Sequence, residues 1–240
     1  MSVPLNRALS KLGVLSRAQA TEAIRAGRVT VDGRVVRDPL HSVVPERAVI
    51  QVDGARSARA RWRTIAFHKP RGVVTTRRDP EGRPTIYDVL GDAARGLVPV
   101  GRLDLATSGL LLLTNDTRLA DAVTDPRSGV PRIYTVTVRG RLDPALADRL
   151  TSGITDRGER LQAERVVVRK ASGRETHLVV ELREGRNREV RRLLAAVGHE
   201  VTRLARVSIG GVDLGGLAPG QWRELSPAEI ARAFPGRRRL

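Results

Sequence analysis

The chain has 240 residues and carries 43 lysine and arginine residues against 26 aspartate and glutamate residues, which gives a formal net charge of +17. This length supports one large or two modest domains with their own cores, and the charge favours polyanionic partners over small neutral metabolites. The absence of cysteine excludes disulfides, thiolate nucleophiles and cysteine-bound metal, while the lack of a long apolar run predicts a cytoplasmic protein without a membrane span.

The first thirty residues predict two short helices. Apolar residues recur at helical spacing from Leu5 to Leu12, and Gly13 provides a left-handed stop. Ser16 and Gln19 form the pattern of a capping box, which predicts the start of a second helix. We therefore expect a pair of helices joined by a tight connection.

A β-hairpin is predicted directly after these helices. Val29 and Val31 precede Asp32-Gly33, a dipeptide that supplies the positive φ angles of a type I′ turn, and Val35 belongs to the returning strand. Basic residues are spread over the helices and the hairpin, where they predict one basic face: Arg7, Lys11, Arg17, Arg25 and Arg28.

The segment LNRALSKLGVLSRAQATEAIRAGRVTVDGRVV resembles the alpha-L RNA-binding motif first described in a small-subunit ribosomal protein. The alternative is a small basic subdomain that only packs on its neighbour, because basic faces are often merely solvated. The arginine-rich stretch ARSARARWR at 55–63 follows and is typical of a linker. Together, the resemblance and this linker predict an RNA-binding domain with its linker at 1–60 and a second domain at 61–240.

Short strands dominate the second domain, with a few helices between them. The predicted strands are 64–68, 110–114, 133–139, 165–169, 177–182 and 201–209. The predicted helices are 117–124, 144–150 and 188–197. Strands and helices do not alternate regularly, so we predict an α+β domain with a mixed, largely antiparallel sheet and flanking helices.

One polar loop is well placed for catalysis. In GRLDLATSGLLLLTND at 101–116, Arg102 and Asp104 come directly before a strand that reads as buried. A sheet fixes residues at a strand entrance, while the loop exposes them. Taken alone, an aspartate at the position of Asp104 is more often a turn or capping residue than a catalyst.

A second basic element follows in EGRNREVRRLLAAVGHE at 184–200. Asn187 is the predicted cap of a helix whose apolar stripe lies opposite a stripe of Arg188, Arg191 and Arg192. These guanidinium groups could contact RNA phosphates, keep a carboxylate ionised, or simply form a solvated face.

Four segments together resemble the bacterial ribosomal RNA pseudouridine synthases of the RsuA/RluB family. They are GRLDLATSGLLLLT, HKPRGVVTT at 68–76, RIYTVTV at 132–138 and EGRNREVRRLLAAVGHEVTRLARVSIG at 184–210. Their order and spacing agree along essentially the whole chain, and GRNREVRRL is closer to the large-subunit synthase B branch. The resemblance implies isomerisation of a uridine in ribosomal RNA, with 23S rRNA as the expected substrate, free or in an assembly particle.

The resemblance also implies roles for individual residues. Asp104 matches the essential aspartate, and Arg191 is its expected cationic partner, with Arg188 as the second candidate. Tyr134 matches the tyrosine that stacks on the flipped uracil, and Arg102 is expected to brace the vacated RNA stack. Contacts with RNA phosphates are expected from four further positions: Lys69, Arg71, Arg188 and Arg192. Neither a cofactor nor a metal ion is implied.

Other functions are compatible with the residues alone. The chain could be a noncatalytic, ribosome-associated RNA-binding protein, a nucleic-acid hydrolase or glycosylase that uses carboxylates, or a synthase that acts on 16S rRNA. Aromatic residues make up only 2% of the chain, which argues against a general single-strand binder. We expect a monomer, because no exposed apolar stripe predicts a dimer.

Overall fold

The computed structural model describes residues 2–45, 47–56 and 62–235. The predicted domain boundary near residue 60, with Arg59 and Arg61 of the linker, lies outside these residues. The elements of the first part are β1 Val3–Pro4, α1 Leu5–Lys11, α2 Arg17–Arg25, β2 Val29–Val31, β3 Arg34–Val35, β4 Ser42–Val43, β5 Ile50–Val52 and β6 Ala55–Arg56.

Local signals in the sequence explain these first elements. Ser16 caps α2 by accepting a hydrogen bond from the Gln19 backbone N–H at 3.2 Å, and the Gln19 side chain accepts one from the Ser16 N–H at 3.0 Å. Asp32 and Gly33 have φ angles of 50° and 80°, as the predicted tight turn requires. The predicted helix-helix-hairpin is therefore confirmed, and it packs around Leu5, Leu9, Ile24 and other apolar residues.

The hairpin belongs to a larger sheet than the sequence predicts. Its four strands lie in the order β3-β2-β5-β6, with β5 paired antiparallel to β2. Because β5 is only three residues long, its alternation of apolar and polar residues is too short to predict a strand.

The second part contains eleven strands and five α-helices among the described residues. The strands are β7 Thr64–Lys69, β8 Val98–Pro99, β9 Ser108–Thr114, β10 Arg132–Arg139, β11 Ile154–Asp156, β12 Glu159–Leu161, β13 Arg165–Ala171, β14 Glu175–Leu182, β15 Val201–Ile209, β16 Val212–Asp213 and β17 Trp222–Glu224. The helices are α3 Ile86–Leu90, α4 Thr117–Thr124, α5 Pro144–Ser152, α6 Glu189–Ala196 and α7 Pro227–Ala233.

The central sheet has the strand order β13-β14-β10-β15-β9-β7-β17, with β16 paired to β15 and β8 paired to β9. In the described part of the chain, β15 and β9 run parallel to each other, while the other paired neighbours are antiparallel. The predicted α+β domain with a mixed, largely antiparallel sheet is thus confirmed.

Apolar residues cover both faces of the middle of this sheet. Leu111 and Leu113 of β9 belong to one buried cluster, and Leu110 and Leu112 belong to a second cluster on the other face. Successive side chains of a strand point to opposite faces, so a strand buried on both sides needs a continuous apolar run. This run makes β9 a rigid support for the loop that precedes it.

Helix α6 begins differently from its prediction. Asn187 is not the cap. Instead, Arg188 is the capping residue, with a left-handed φ of 49° and no side-chain hydrogen bond to the helix, and the helix starts at Glu189. The Glu189 carboxylate folds back and accepts a hydrogen bond from the Arg186 N–H at 3.0 Å. This contact closes the turn that leads into α6, and its donor lies before the helix.

Among the helices of the described residues, none is long and apolar enough to cross a membrane.

Gly109 of β9 pairs with Arg206 of β15, and the two backbones lie close together there. The φ of Gly109 is 105°, and a Cβ atom added there would lie 2.2 Å from the Arg206 backbone oxygen. We predict that Gly109→Ala lowers the free energy of unfolding by about 3 kcal/mol or more, because backbone strain and steric overlap both act. Equilibrium denaturation measures this change.

The matched control is Gly129→Ala, where φ is also positive, at 57°, but no atom lies within 4 Å of the added Cβ. This variant should lose only about 1 kcal/mol, the cost of the left-handed backbone. Equal losses for the two variants would contradict a close approach of the strands at Gly109.

Candidate active site

A cleft of about 250 Å³ opens beside the loop that carries Asp104. Its walls come from that loop, from β10 and β15, and from the segment that leads into α6. The polar residues of the lining include Arg102, Asp104, Thr107, Arg132, Tyr134, Arg186, Asn187, Arg188, Glu189 and Arg206. The structure therefore gathers Asp104, Tyr134, Arg102 and Arg188, four of the predicted site residues, around one cavity.

Asp104 is half-buried in a loop that is fixed on both sides. On its N-terminal side, the Thr75 hydroxyl donates to the Leu103 carbonyl at 2.8 Å and accepts from the Leu103 N–H at 3.2 Å. On its C-terminal side, the Thr107 N–H donates to the Asp104 carbonyl at 3.0 Å. The carboxylate is thus presented from a well-anchored turn at the entrance to β9.

Lys69 lies under this turn and not on the surface. The side chain is fully buried, and its ammonium group donates to the carbonyl oxygens of Pro70 and Thr107, both at 2.9 Å. The predicted contact with RNA phosphate therefore does not fit Lys69. Burial lowers its pKa to about 8, and the negative charge of Asp104 opposes this shift.

Arg191 lies next to the Asp104 loop but forms no direct ion pair with the carboxylate in the described residues. Its guanidinium donates to the Val201 carbonyl at 3.0 Å and to the Ala106 carbonyl at 3.3 Å. Burial lowers the Arg191 pKa, while Asp104 raises it through charge attraction. Arg191 thus ties α6 to the loop and adds positive potential close to the carboxylate.

Tyr134 and Arg102 occupy different parts of the cleft. Tyr134 is 8% exposed, belongs to the main apolar cluster and lies opposite Arg206 in the pairing of β10 with β15. Arg102 is exposed at the rim. Tyr134 therefore combines a place in the core with access to the cleft.

Three buried charged residues in the cleft wall were missed by sequence reasoning. Arg132, Glu189 and Arg206 are 7%, 3% and 4% exposed. Arg132 donates to four backbone carbonyls. Burial and the charge of Arg206 lower its pKa, while the negative charge of Glu189 raises it. The sequence contains a signal for Arg206. This residue shares one face of β15, a largely apolar strand, with Leu204 and Ser208, which indicates a buried position.

Three other arginines were predicted to contact phosphate: two of them are exposed, and the third forms ion pairs within the protein. Arg71 and Arg188 are exposed beside the cleft or its loop. Arg192 is 19% exposed, and its guanidinium forms ion pairs with Asp156 and Glu159 on the β11–β12 hairpin. A phosphate contact does not fit Arg192, because its donors hold this hairpin against α6.

The basic residues predicted in the first part are largely on the surface. Arg7, Arg17 and Arg25 are exposed and have no carboxylate partner among the described residues, whereas Arg28 pairs with Asp53. Lys11 is half-buried and has a partner of its own. In the same described part of the chain, no group of three or more histidine, cysteine or acidic side chains could hold a metal ion.

The buried Lys69 should make stability depend on pH. Because its pKa falls from 10.5 to about 8 on folding, the unfolded chain binds more protons between these values. The free energy of unfolding should therefore rise with pH through this window, by at most about 3 kcal/mol.

The measurement compares denaturation of the wild type and Lys69→Met from pH 7.5 to pH 10.5. The wild type should gain stability relative to the variant as the pH rises, since other titrating groups cancel in the difference. A constant difference across the window would contradict a buried Lys69 that is protonated at neutral pH.

Comparisons with known proteins identify the family. The model for the RNA pseudouridylate synthase family matches residues 63–196, and the model for the S4 domain matches residues 3–46. A protein of Aquifex aeolicus described as an uncharacterized RNA pseudouridine synthase is 40% identical over 98% of this chain and 94% of its own length. The ribosomal large subunit pseudouridine synthase B of Bacillus subtilis is 35% identical over 95% of this chain and 94% of its own.

The fold agrees with these sequence matches. A crystal structure of a pseudouridylate synthase superposes with a TM-score of 0.68 at 28% identity, covering 96% of this chain and 99% of the other. The family model alone spans more than half of the chain. The chain therefore belongs to the RNA pseudouridylate synthase family and is a pseudouridine synthase that carries an S4 domain.

Proposed function

We propose that the protein isomerises one uridine of 23S ribosomal RNA to pseudouridine and that Asp104 is the catalytic carboxylate. The observation that carries the proposal is the position of Asp104, half-buried on an anchored turn in a cleft that it shares with Tyr134 and Arg188. The relatives named large subunit pseudouridine synthase B support the choice of substrate.

The reaction breaks the glycosidic bond between N1 of the uracil and C1′ of the ribose. The base then turns, C5 forms a new bond to C1′, the proton on C5 is lost, and N1 gains a proton. Atoms and electrons balance without an oxidant or an energy source. A carboxylate can assist by adding covalently to the ribose or the base, or by promoting a glycal-like species, and so divides one difficult step into easier ones.

Two cationic side chains lie close to the loop that carries Asp104. Arg191 places its guanidinium against the same loop, at the Ala106 carbonyl, and Lys69 places its ammonium under the Thr107 carbonyl. Asp104 attracts both cations through its negative charge. Both cations bind the loop backbone, so they fix the position of the loop that carries the carboxylate.

The target nucleotide has to leave the RNA stack before its glycosidic bond can be reached. Arg102 lies exposed at the rim of the cleft, two residues before Asp104, where its guanidinium can occupy the vacated space. Tyr134 lies in the wall, where its ring can stack on the extruded base and its hydroxyl can take the C5 proton. Arg71 and Arg188 are placed to hold the flanking phosphates.

Removal of the Asp104 charge should abolish the chemistry but not the binding. We expect Asp104→Asn to lower tritium release from C5-labelled uridine in transcribed 23S rRNA by at least about 1,000-fold. The affinity for the same RNA should be retained, because phosphate contacts supply most of it.

The matched control is Asp121→Asn, an identical change at an exposed position of α4 outside the cleft. This variant should release tritium at the wild-type rate. Substantial release by Asp104→Asn would contradict the proposal, and so would a product of shortened RNA or free uracil, which would indicate a hydrolase or glycosylase.

Binding to rRNA should weaken steeply as the salt concentration rises, since the chain carries a net charge of +17. Replacement of Arg7, Arg17 and Arg25 by glutamine should reduce the slope of log affinity against log salt by about 2 to 3 units, because each phosphate contact contributes roughly one unit. Affinity measured at several salt concentrations gives this slope.

The control replaces three exposed arginines that pair with carboxylates, Arg95, Arg139 and Arg165. This variant loses the same charge, but its slope should change by less than about one unit. The same change in both triple variants would show that net charge alone, and not the face of the S4 domain, sets the affinity.

A further inference from the structure

Three buried polar side-chain atoms have no hydrogen-bond partner in the described part of the chain: Thr107 Oγ1, Glu189 Oε1 and Arg206 Nη2. All three residues line the cleft beside Asp104. Buried polar atoms without partners are rare in folded proteins, since each one costs stability. Their concentration in this single cleft indicates that a bound molecule completes them.

The two charged members of this set are held by their other atoms. Arg206 lies on β15 between β10 and β9, and its Nε donates to the Leu110 carbonyl at 2.8 Å. Glu189 lies at the start of α6, and its Oε2 accepts from the Arg186 N–H at 3.0 Å. The donor Arg206 Nη2 and the acceptor Glu189 Oε1 therefore remain without hydrogen-bond partners, at fixed positions in the cleft wall.

The geometry points to Glu189 and Arg206 as the residues that read the edge of the extruded uracil. Glu189 Oε1 accepts the hydrogen bond of the uracil N3–H, and Arg206 Nη2 donates to an adjoining carbonyl oxygen of the base. This inference rests on the proposed function and adds to it the basis of base specificity at the same site.

A purely structural role explains the arrangement less well. Glu189 and Arg206 are both almost fully buried and line one cleft, yet they form no direct ion pair with each other in the described residues. A pair selected for stability would satisfy its own hydrogen bonds, because a partly satisfied buried network costs more than an apolar one. A bound ligand therefore best explains why Glu189 Oε1 and Arg206 Nη2 have no hydrogen-bond partner in the described residues.

The pattern of donor and acceptor selects uracil over cytosine. Uracil presents a donor at N3 between two carbonyl acceptors, whereas cytosine presents an acceptor at N3 and an amino donor at C4. With cytosine in the cleft, the Glu189 carboxylate would face a lone pair, and Arg206 would face either the amino group or a single remaining carbonyl. A site whose buried polar groups are left unpaired rejects the wrong base strongly.

The test uses the full-length Asp104→Asn variant, which is not expected to convert uridine. It measures binding of this variant to an RNA stem-loop that spans the uridine converted by the wild type in transcribed 23S rRNA. Three probes carry uridine, cytidine or an abasic ribose at the target position. We expect the uridine probe to bind about 10-fold to 100-fold more tightly than the cytidine probe. Adding Glu189→Gln should reduce this ratio to below about 3-fold.

Affinity for the abasic probe separates base reading from a structural role. Glu189→Gln should leave this affinity unchanged, because only the base edge contacts the residue. Arg206→Lys, which keeps the buried charge but moves the donor, should also reduce the uridine preference, and it serves as the second variant if Glu189→Gln does not fold. The matched control, Glu164→Gln, changes an exposed glutamate outside the cleft and should keep the full preference.

An unchanged ratio of uridine to cytidine affinity in both variants would overturn the inference while leaving isomerisation at Asp104 intact. Equal losses of affinity for the uridine and abasic probes would also overturn it, because a structural role predicts that result. If the wild type converted no uridine in the rRNA, the proposed function and this inference would both fail.

Discussion

The role proposed for Asp104 depends on how firmly its loop is held. Thr75 fixes the residue before Asp104 through two hydrogen bonds, while the buried Lys69 ammonium binds the Thr107 carbonyl three residues after it. Arg191 adds a contact at Ala106 between these points. The following strand β9 is buried on both faces, so the loop is anchored to a strand in the middle of the core. A half-buried carboxylate is thereby kept in place and surrounded by positive charge.

The parts of the fold that the sequence predicts correctly depend on local signals. The α4 helix has its predicted bounds, Thr117–Thr124, and the β15 strand spans Val201–Ile209 as predicted, because caps and apolar periodicity act over a few residues. The start of α6 was predicted wrongly for the same reason. An asparagine is a good cap by local rules, but the chain takes a left-handed conformation at Arg188, and the helix starts after that residue.

Some residues that the family resemblance specifies line the candidate site, whereas others are engaged elsewhere in the fold. Asp104, Tyr134 and Arg102 meet at one cleft, as expected. The surface roles expected for Lys69 and Arg192 do not fit, because each side chain is engaged by groups from 33 to 38 residues away in sequence. Arg132, Glu189 and Arg206 were missed for the same physical reason: burial of a charge is decided by strand neighbours that composition and periodicity do not reveal.

The most direct test of the central claim is a map of pseudouridine across ribosomal RNA from cells that lack this protein, complemented with either the wild type or Asp104→Asn. The account predicts that a single 23S position loses its pseudouridine in the deleted cells, regains it with the wild type, and stays uridine with Asp104→Asn. An unchanged map in the deleted cells, or full restoration by Asp104→Asn, would contradict it.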